Sequence, residues 1–207
     1  MQFTYGELNS TDRAVVSQLM EYNGTSLALS GIIPAFLCLV FIAALIYFLK
    51  KTNIKNYLGL HSFSVKQLGI WLAALALFIL ASDFLTHSLG KPIVPEVMLD
   101  IYRSAEPIWL LWIALMIGAP LFEEIFFRGF LLPGMQQSWL GLHGAVIVTS
   151  ILWAIIHLQY DIYGIATIFL MGLLLGYAKI NSGSLWLPIL LHSLSNLTAT
   201  IQTASLI

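Results

Sequence analysis

Residues 27–49 form an apolar run, Leu27 to Leu49, without one charged side chain. As a helix rising 1.5 Å per residue it would cross ~30 Å of hydrocarbon. In water the same run would have to be buried on every side, and a domain of 207 residues leaves most of its residues touching solvent. The rest of the chain has the same character, with 59% hydrophobic and only 9% charged residues. An ordinary soluble domain carries about 25% charged residues. Backbone crossing lipid must satisfy its hydrogen bonds internally. The expected class is therefore all-α, a polytopic membrane protein. A disordered chain, a secreted disulfide scaffold and a nucleic-acid binder are excluded. Cys38 is the one cysteine, so there is no internal disulfide and no CxxC metal site. A net charge of −1 carries no polybasic or acidic partner signal.

About six spans are expected. After the polar segment 1–26 they run at 27–49, where Pro34 permits a kink, then at 68–85, 108–132, 143–158, 162–178 and 185–207. Pro133-Gly134 is expected to end the third and Lys179 the fifth. Asp83 is placed at the interface, and 86–107 is read as a loop or interfacial segment. Lys50, Lys51, Lys55 and Lys66 follow the first span with no acid among them, which puts that connection in the cytoplasm and both termini outside.

Charges inside spans are functional candidates by default. In the second half of the chain they are Glu123, Glu124, Arg128, His157 and His192, with Asn196 as a neutral companion. Glu124 and Arg128 are four apart and share a helical face, so they can pair. Glu123 points about 100° away from Glu124 and stays outside that pair. A carboxylate left among apolar side chains is a candidate general base. Trp153 is one turn before His157 and can orient its ring. His192 and Asn196 share a face and could donate to a developing oxyanion. Each group alone also fits an ordinary role: a salt bridge at a helix end, an interfacial histidine, polar contacts between helices. Converging from separate helices, they would make a water-activating hydrolytic site. His61, His87 and His143 are read as surface histidines.

The ordered motifs resemble the CPBP family of intramembrane proteases, also called the CAAX-protease or Abi family. Glu123, Glu124 and Arg128 match its Glu-Glu-x-x-x-Arg. His157 matches its Phe-x-x-x-His, with Trp153 where Phe is usual. His192 and Asn196 match its His-x-x-x-Asn. The resemblance covers about residues 105–205 and implies a C-terminal four-helix catalytic core, placed at 105–207. Ahead of it lie two accessory helices and loops at 27–104 and the extracytoplasmic segment 1–26.

By that resemblance Glu123 activates water, His157 helps to hold it, and His192 with Asn196 stabilises the oxyanion. Glu124, Arg128 and Trp153 support them. The implied reaction is hydrolysis of a peptide bond in a membrane-anchored protein or peptide, within a prokaryotic cytoplasmic membrane. A metal-free mechanism is favoured, because His-Glu-x-x-His is absent. Zinc remains the alternative cofactor, with Glu123, His157 and His192 as its three ligands. The alternative function is a catalytically inactive binder of membrane peptides, such as a bacteriocin-immunity protein. A proton-coupled carrier is disfavoured, because neither internal repeats nor paired broken helices are visible. The depths conflict: His157 falls about 10 Å deeper from the inner face than Glu123 and His192. A water-filled cavity opening to the cytoplasmic side is expected nevertheless.

Overall fold

The structure, a computed structural model, describes residues 23–50 and 53–207, without the side chains of 30–34 and 49–50. Nearly all of the polar N-terminal segment, the Pro34 side chain and Lys51 therefore lie outside the described residues. The described residues are all-α. The first helix, α1 (Gly24–Leu45), continues as a π-helical stretch at Ile46–Lys50. After it come α2 (Ile54–Leu58), α3 (Val65–Ser88) and α4 (Glu96–Ser104). A long helix, α5 (Ile108–Gln136), precedes α6 (Gly141–Ile155), α7 (Ile162–Ser182) and α8 (Trp186–Ala204).

Three of these, α3, α5 and α7, are long and apolar enough to cross a membrane, and Ala35–Phe48 and Gly141–Ile155 are shorter apolar helices. Helix α8 has the length, at 19 residues. Its apolar character is diluted by His192, Ser193, Ser195, Asn196, Thr198, Thr200, Gln202 and Thr203. Much apolar surface faces outward, including Phe36 at 65%, Leu77 at 70% and Phe84 at 74% exposure. In a bilayer, lipid would cover such a surface; in water it would be an aggregation hazard.

Local chemistry sets the helix ends. Ser64 and Gln67 make a reciprocal capping box at the start of α3. Asp161 caps α7 by accepting from the Gly164 N–H at 2.8 Å. Its carboxyl is held below the usual range by the Lys91 ammonium at 2.7 Å and then by that N–H. Gly183, at φ 67°, ends α7 in the left-handed conformation that glycine adopts without strain.

Two of the boundaries that differ from expectation have a local cause. Pro133 does not end α5, which runs on to Gln136. A π-helical stretch, Ile125–Leu131, resets the hydrogen-bond register just before it, so Pro133 sits in the first turn of a new α segment. A proline's missing N–H is tolerated there. Lys179 does not end α7 as a loop charge either. It is buried, and its ammonium donates to Leu58 O at 3.0 Å and Gly183 O at 3.3 Å, satisfying carbonyls at the ends of α2 and α7.

The helices alternate in direction, so the connections gather at two ends. One end joins α2, the start of α3 and the α7–α8 turn, through Trp71 to Asn181, Ser184 to His61 and Leu185 to Gly59. By sequence it also carries Lys50, Lys51, Lys55 and Lys66, and we call it the lysine end. The other joins the end of α3, α4 and the start of α7, through Lys91 to Asp161 and Thr86 to Tyr163. Asp83, Glu96, Asp100, Glu106 and Asp161 all lie there, and we call it the acidic end.

Candidate active site

The site begins where α5 turns from α to π geometry. Glu124 and Arg128 are fully buried, and Arg128 Nη1 donates to Glu124 Oε1 at 2.9 Å. The same oxygen accepts from His192 Nδ1 at 3.0 Å. Arg128 Nη2 donates to Gly172 O at 3.3 Å, and its guanidinium lies 4.5 Å from the Trp153 ring centroid. A buried cation is thus held by a carboxylate, a carbonyl and an aromatic face. Gly172 also sits tightly against α6: a Cβ there would come within 2.9 Å of Ser150 Cβ and 3.1 Å of the Trp153 ring. Gly176, one turn on, would meet Val146 at 2.9 Å. The Gly172-x-x-x-Gly176 spacing, visible in the sequence, is what lets α6 and α7 pack closely.

Glu123 turns away from that pair and is not left free. Its Oε2 accepts from Trp153 Nε1 at 2.5 Å. Trp153 therefore does more than orient a histidine. Its ring meets His157 and His192 edge-on, each at 5.3 Å between centroids, while its N–H holds Glu123. The usual phenylalanine at this position would have no donor.

Helix α6 ends at Ile155, so His157 sits on the following turn at the acidic end rather than deep in a span. His157 is nevertheless linked to the other groups, because the Trp153 side chain reaches Glu123, His157 and His192 together. His157 Nδ1 lies 2.8 Å from Trp153 O. A carbonyl only accepts, so Nδ1 carries the hydrogen and Nε2 of the neutral ring presents a lone pair. The same logic places a hydrogen on His192 Nδ1, toward Glu124. His192 Nε2 then donates only in the imidazolium form.

Asn196 has a duty that sequence reasoning missed. Its amide donates to Leu115 O at 2.9 Å. Leu115 lies in the π-helical stretch Ala114–Gly118, where Ala119 N–H reaches back to Ala114 O. In that register the next donor would be residue 120, a proline with no N–H. Asn196 supplies the missing partner, and its second amide hydrogen and carbonyl oxygen remain for other use.

Trp153, His157, His192, Ser195 and Asn196 form part of the wall of a cavity of about 520 Å³. Glu123 is not one of its wall residues and is joined to the wall by the hydrogen bond it accepts from Trp153. The other wall residues come from the later part of α3 (Phe78, Ser82, Asp83, Thr86), residues 91–98, and the first half of α7. All lie toward the acidic end. The cavity therefore opens away from the lysines, opposite to the expectation that placed its mouth on their side. Helix α3, read as accessory, supplies one wall.

Tyr160 also lines the cavity and was not singled out from sequence, where a tyrosine beside a helix start carries no signal. Its hydroxyl lies 3.0 Å from Met98 Sδ. Burial, and then the Glu123 charge, push the phenol up to about 12, so it keeps its proton through neutral pH. His61 and His87 are exposed, as read from sequence, and His143 Nδ1 pairs with Tyr177 OH at 2.9 Å.

The zinc alternative does not fit this arrangement. Among the described residues no three His, Cys, Asp or Glu side chains gather closely enough to hold a metal ion. Glu123 and His157 are both tied to Trp153, and His192 to Glu124.

Comparison with known proteins agrees with the motifs. A relative from Escherichia coli, described as an uncharacterized 24.3 kDa protein, is 33% identical over 135 residues, which are 62% of this chain. The match spans 55% of that relative's length. No solved structure matches the chain. Residues 105–198 match the family described as type II CAAX prenyl endopeptidase Rce1-like. All the motif residues, from Glu123 to Asn196, fall within that stretch, and residues 105–198 are thus an Rce1-like type II CAAX prenyl endopeptidase domain.

Proposed function

We propose that this chain is an intramembrane endopeptidase that hydrolyses a peptide bond of a membrane-anchored protein or peptide with a water activated by Glu123. It is a multi-pass protein of a bacterial cytoplasmic membrane, with six spans formed by α1, α3, α5, α6, α7 and α8. Residues 105–207 are its catalytic core. The observation that carries the reading is the linked array Glu123–Trp153–His157 beside Arg128–Glu124–His192, against a cavity, in a chain with this domain.

The chemistry follows from the hydrogen-bond directions. His157 Nε2 accepts one hydrogen of the water, and Glu123 takes a proton as the water oxygen bonds to the scissile carbonyl carbon. The carbonyl oxygen becomes an oxyanion. Asn196 donates its second amide hydrogen to it, and His192 Nε2 can donate only in the imidazolium form, Glu124 Oε1 lying between that ring and Arg128. The C–N bond then breaks, the proton held by Glu123 passes to the leaving nitrogen, and no acyl-enzyme forms. Arg128 keeps Glu124 in place and Trp153 keeps Glu123 in place.

The test is cleavage of membrane-embedded peptides by the purified protein in detergent. Wild type cleaves, Glu123→Ala does not, and a metal chelator leaves the wild-type rate unchanged. Loss with chelator and rescue by zinc would instead make Glu123, His157 and His192 metal ligands. Equal cleavage by Glu123→Ala would remove Glu123 from the mechanism.

A further inference from the structure

We infer that the site takes its substrate from the extracytoplasmic face of the membrane. Its substrates are then polypeptides whose scissile bond lies in the outer half of the bilayer or just above it. The inference deepens the proposed peptidase function and rests on that reading.

Two independent observations meet here. The first is the direction of the cavity. Along α8 its wall runs from His192 through Ser195 and Asn196 to Ala199, toward the C-terminal end of that helix. Along α7 it uses Tyr163, Gly164, Thr167, Ile168 and Met171, all in the first half. Along α3 it uses only residues from Phe78 onward. Antiparallel helices thus agree on one mouth, at the acidic end, framed by residues 91–98 and by the turn carrying His157 and Tyr160. At the lysine end, Ser184 to His61 and Leu185 to Gly59 tie the connections together, and Lys179 is buried beneath them.

The second observation is charge. Lys50, Lys55 and Lys66 lie at the end opposite the mouth, and by sequence Lys51 falls in the same connection, which holds no acid. Basic residues in short connections stay on the cytoplasmic side. Among the described residues the basic ones at the mouth are Lys91, held 2.7 Å from Asp161, and Arg103, 4.0 Å from Asp100. Asp83, Glu96 and Glu106 lie at the same end. The lysine bias therefore puts the mouth outside.

The experiment is thiol accessibility in whole cells. Cys38 is first replaced by Ala, and single cysteines are placed by Thr167→Cys in the cavity wall, Ser88→Cys at the acidic end and Asn56→Cys at the lysine end. Each full-length variant is first checked for monodisperse behaviour in detergent. A small, charged, membrane-impermeant methanethiosulfonate is then applied to bacteria with a permeabilised outer membrane, and separately to inside-out vesicles. Cysteines at 167 and 88 should react in cells, and the cysteine at 56 only in inside-out vesicles. Reaction of 167 together with 56 would place the mouth at the lysine end. Reaction of 167 and 88 only in inside-out vesicles would place the mouth in the cytoplasm. Reaction of 167 from neither side would mean the cavity does not open to water. Each of these three results overturns the inference. Labelling needs no catalysis, so such a result leaves the peptidase reading standing. Failure of that reading appears separately, as cleavage that does not depend on Glu123.

Discussion

Glu123→Gln removes peptide cleavage and leaves the protein folded. The amide is nearly the size of the carboxylate and its oxygen still accepts from Trp153 Nε1, so the contact at 2.5 Å is kept. What goes is the capacity to take a proton. A positioned general base contributes a factor of roughly 10²–10⁴, so kcat should fall by about that much with KM nearly unchanged. The detergent-solubilised thermal midpoint should match wild type. Trp153→Phe is the companion variant. It keeps an aromatic ring under Arg128 and between the histidines and deletes only the donor to Glu123. One hydrogen bond to a charged group is worth about 1.5–3 kcal/mol, so cleavage should slow by roughly 10- to 100-fold, in kcat. If both variants cut at the wild-type rate, Glu123 is not the base.

Arg128→Met destabilises the fold more than any other single change at this site. Arg128 and Glu124 are both fully buried, and the substitution leaves the carboxylate without its cation. Breaking one side of such a pair is typically a loss of about 3–5 kcal/mol. For a chain of this length that lowers the thermal midpoint on the order of 10 °C. His192 also loses its anchor, since Glu124 Oε1 is shared between them. The double variant Glu124→Gln with Arg128→Met should recover part of the lost stability, because no unpaired charge remains, while activity stays low. A thermal scan of wild type, the two single variants and the double variant measures the coupling directly. Additive losses would mean that the pair carries no special weight.

The class of the fold and the cast of the site were legible because both rest on local rules. Uncharged runs give helices, and Glu124 with Arg128 follows from four-residue spacing. What the sequence could not reveal depends on backbone register and on the third dimension. Two π-helical stretches in α5 let Pro133 fall inside the helix and leave Leu115 O to Asn196. Neither has a sequence signature that the proline rule alone would catch. The end of α6 at Ile155 places His157 on a turn. The cavity wall, drawn from α3, α7, α8 and residues 91–98, lies toward the acidic end, which only the packed helices reveal. Lys179 looked like a loop charge because its partners, Leu58 O and Gly183 O, are backbone groups that no motif names. Gly172-x-x-x-Gly176 was readable, and it marks where Arg128 gains its carbonyl partner.

The most direct measurement is the appearance of new peptide N-termini. Purified wild-type protein is incubated in detergent with a bacterial membrane extract, beside Glu123→Gln, and the products are read by mass spectrometry. The account predicts new N-termini, within or next to membrane-spanning segments of the cleaved proteins, that the variant does not produce. Identical termini with both proteins, or none with either, would contradict the assignment of a glutamate-activated peptidase and favour a chain that only binds membrane peptides.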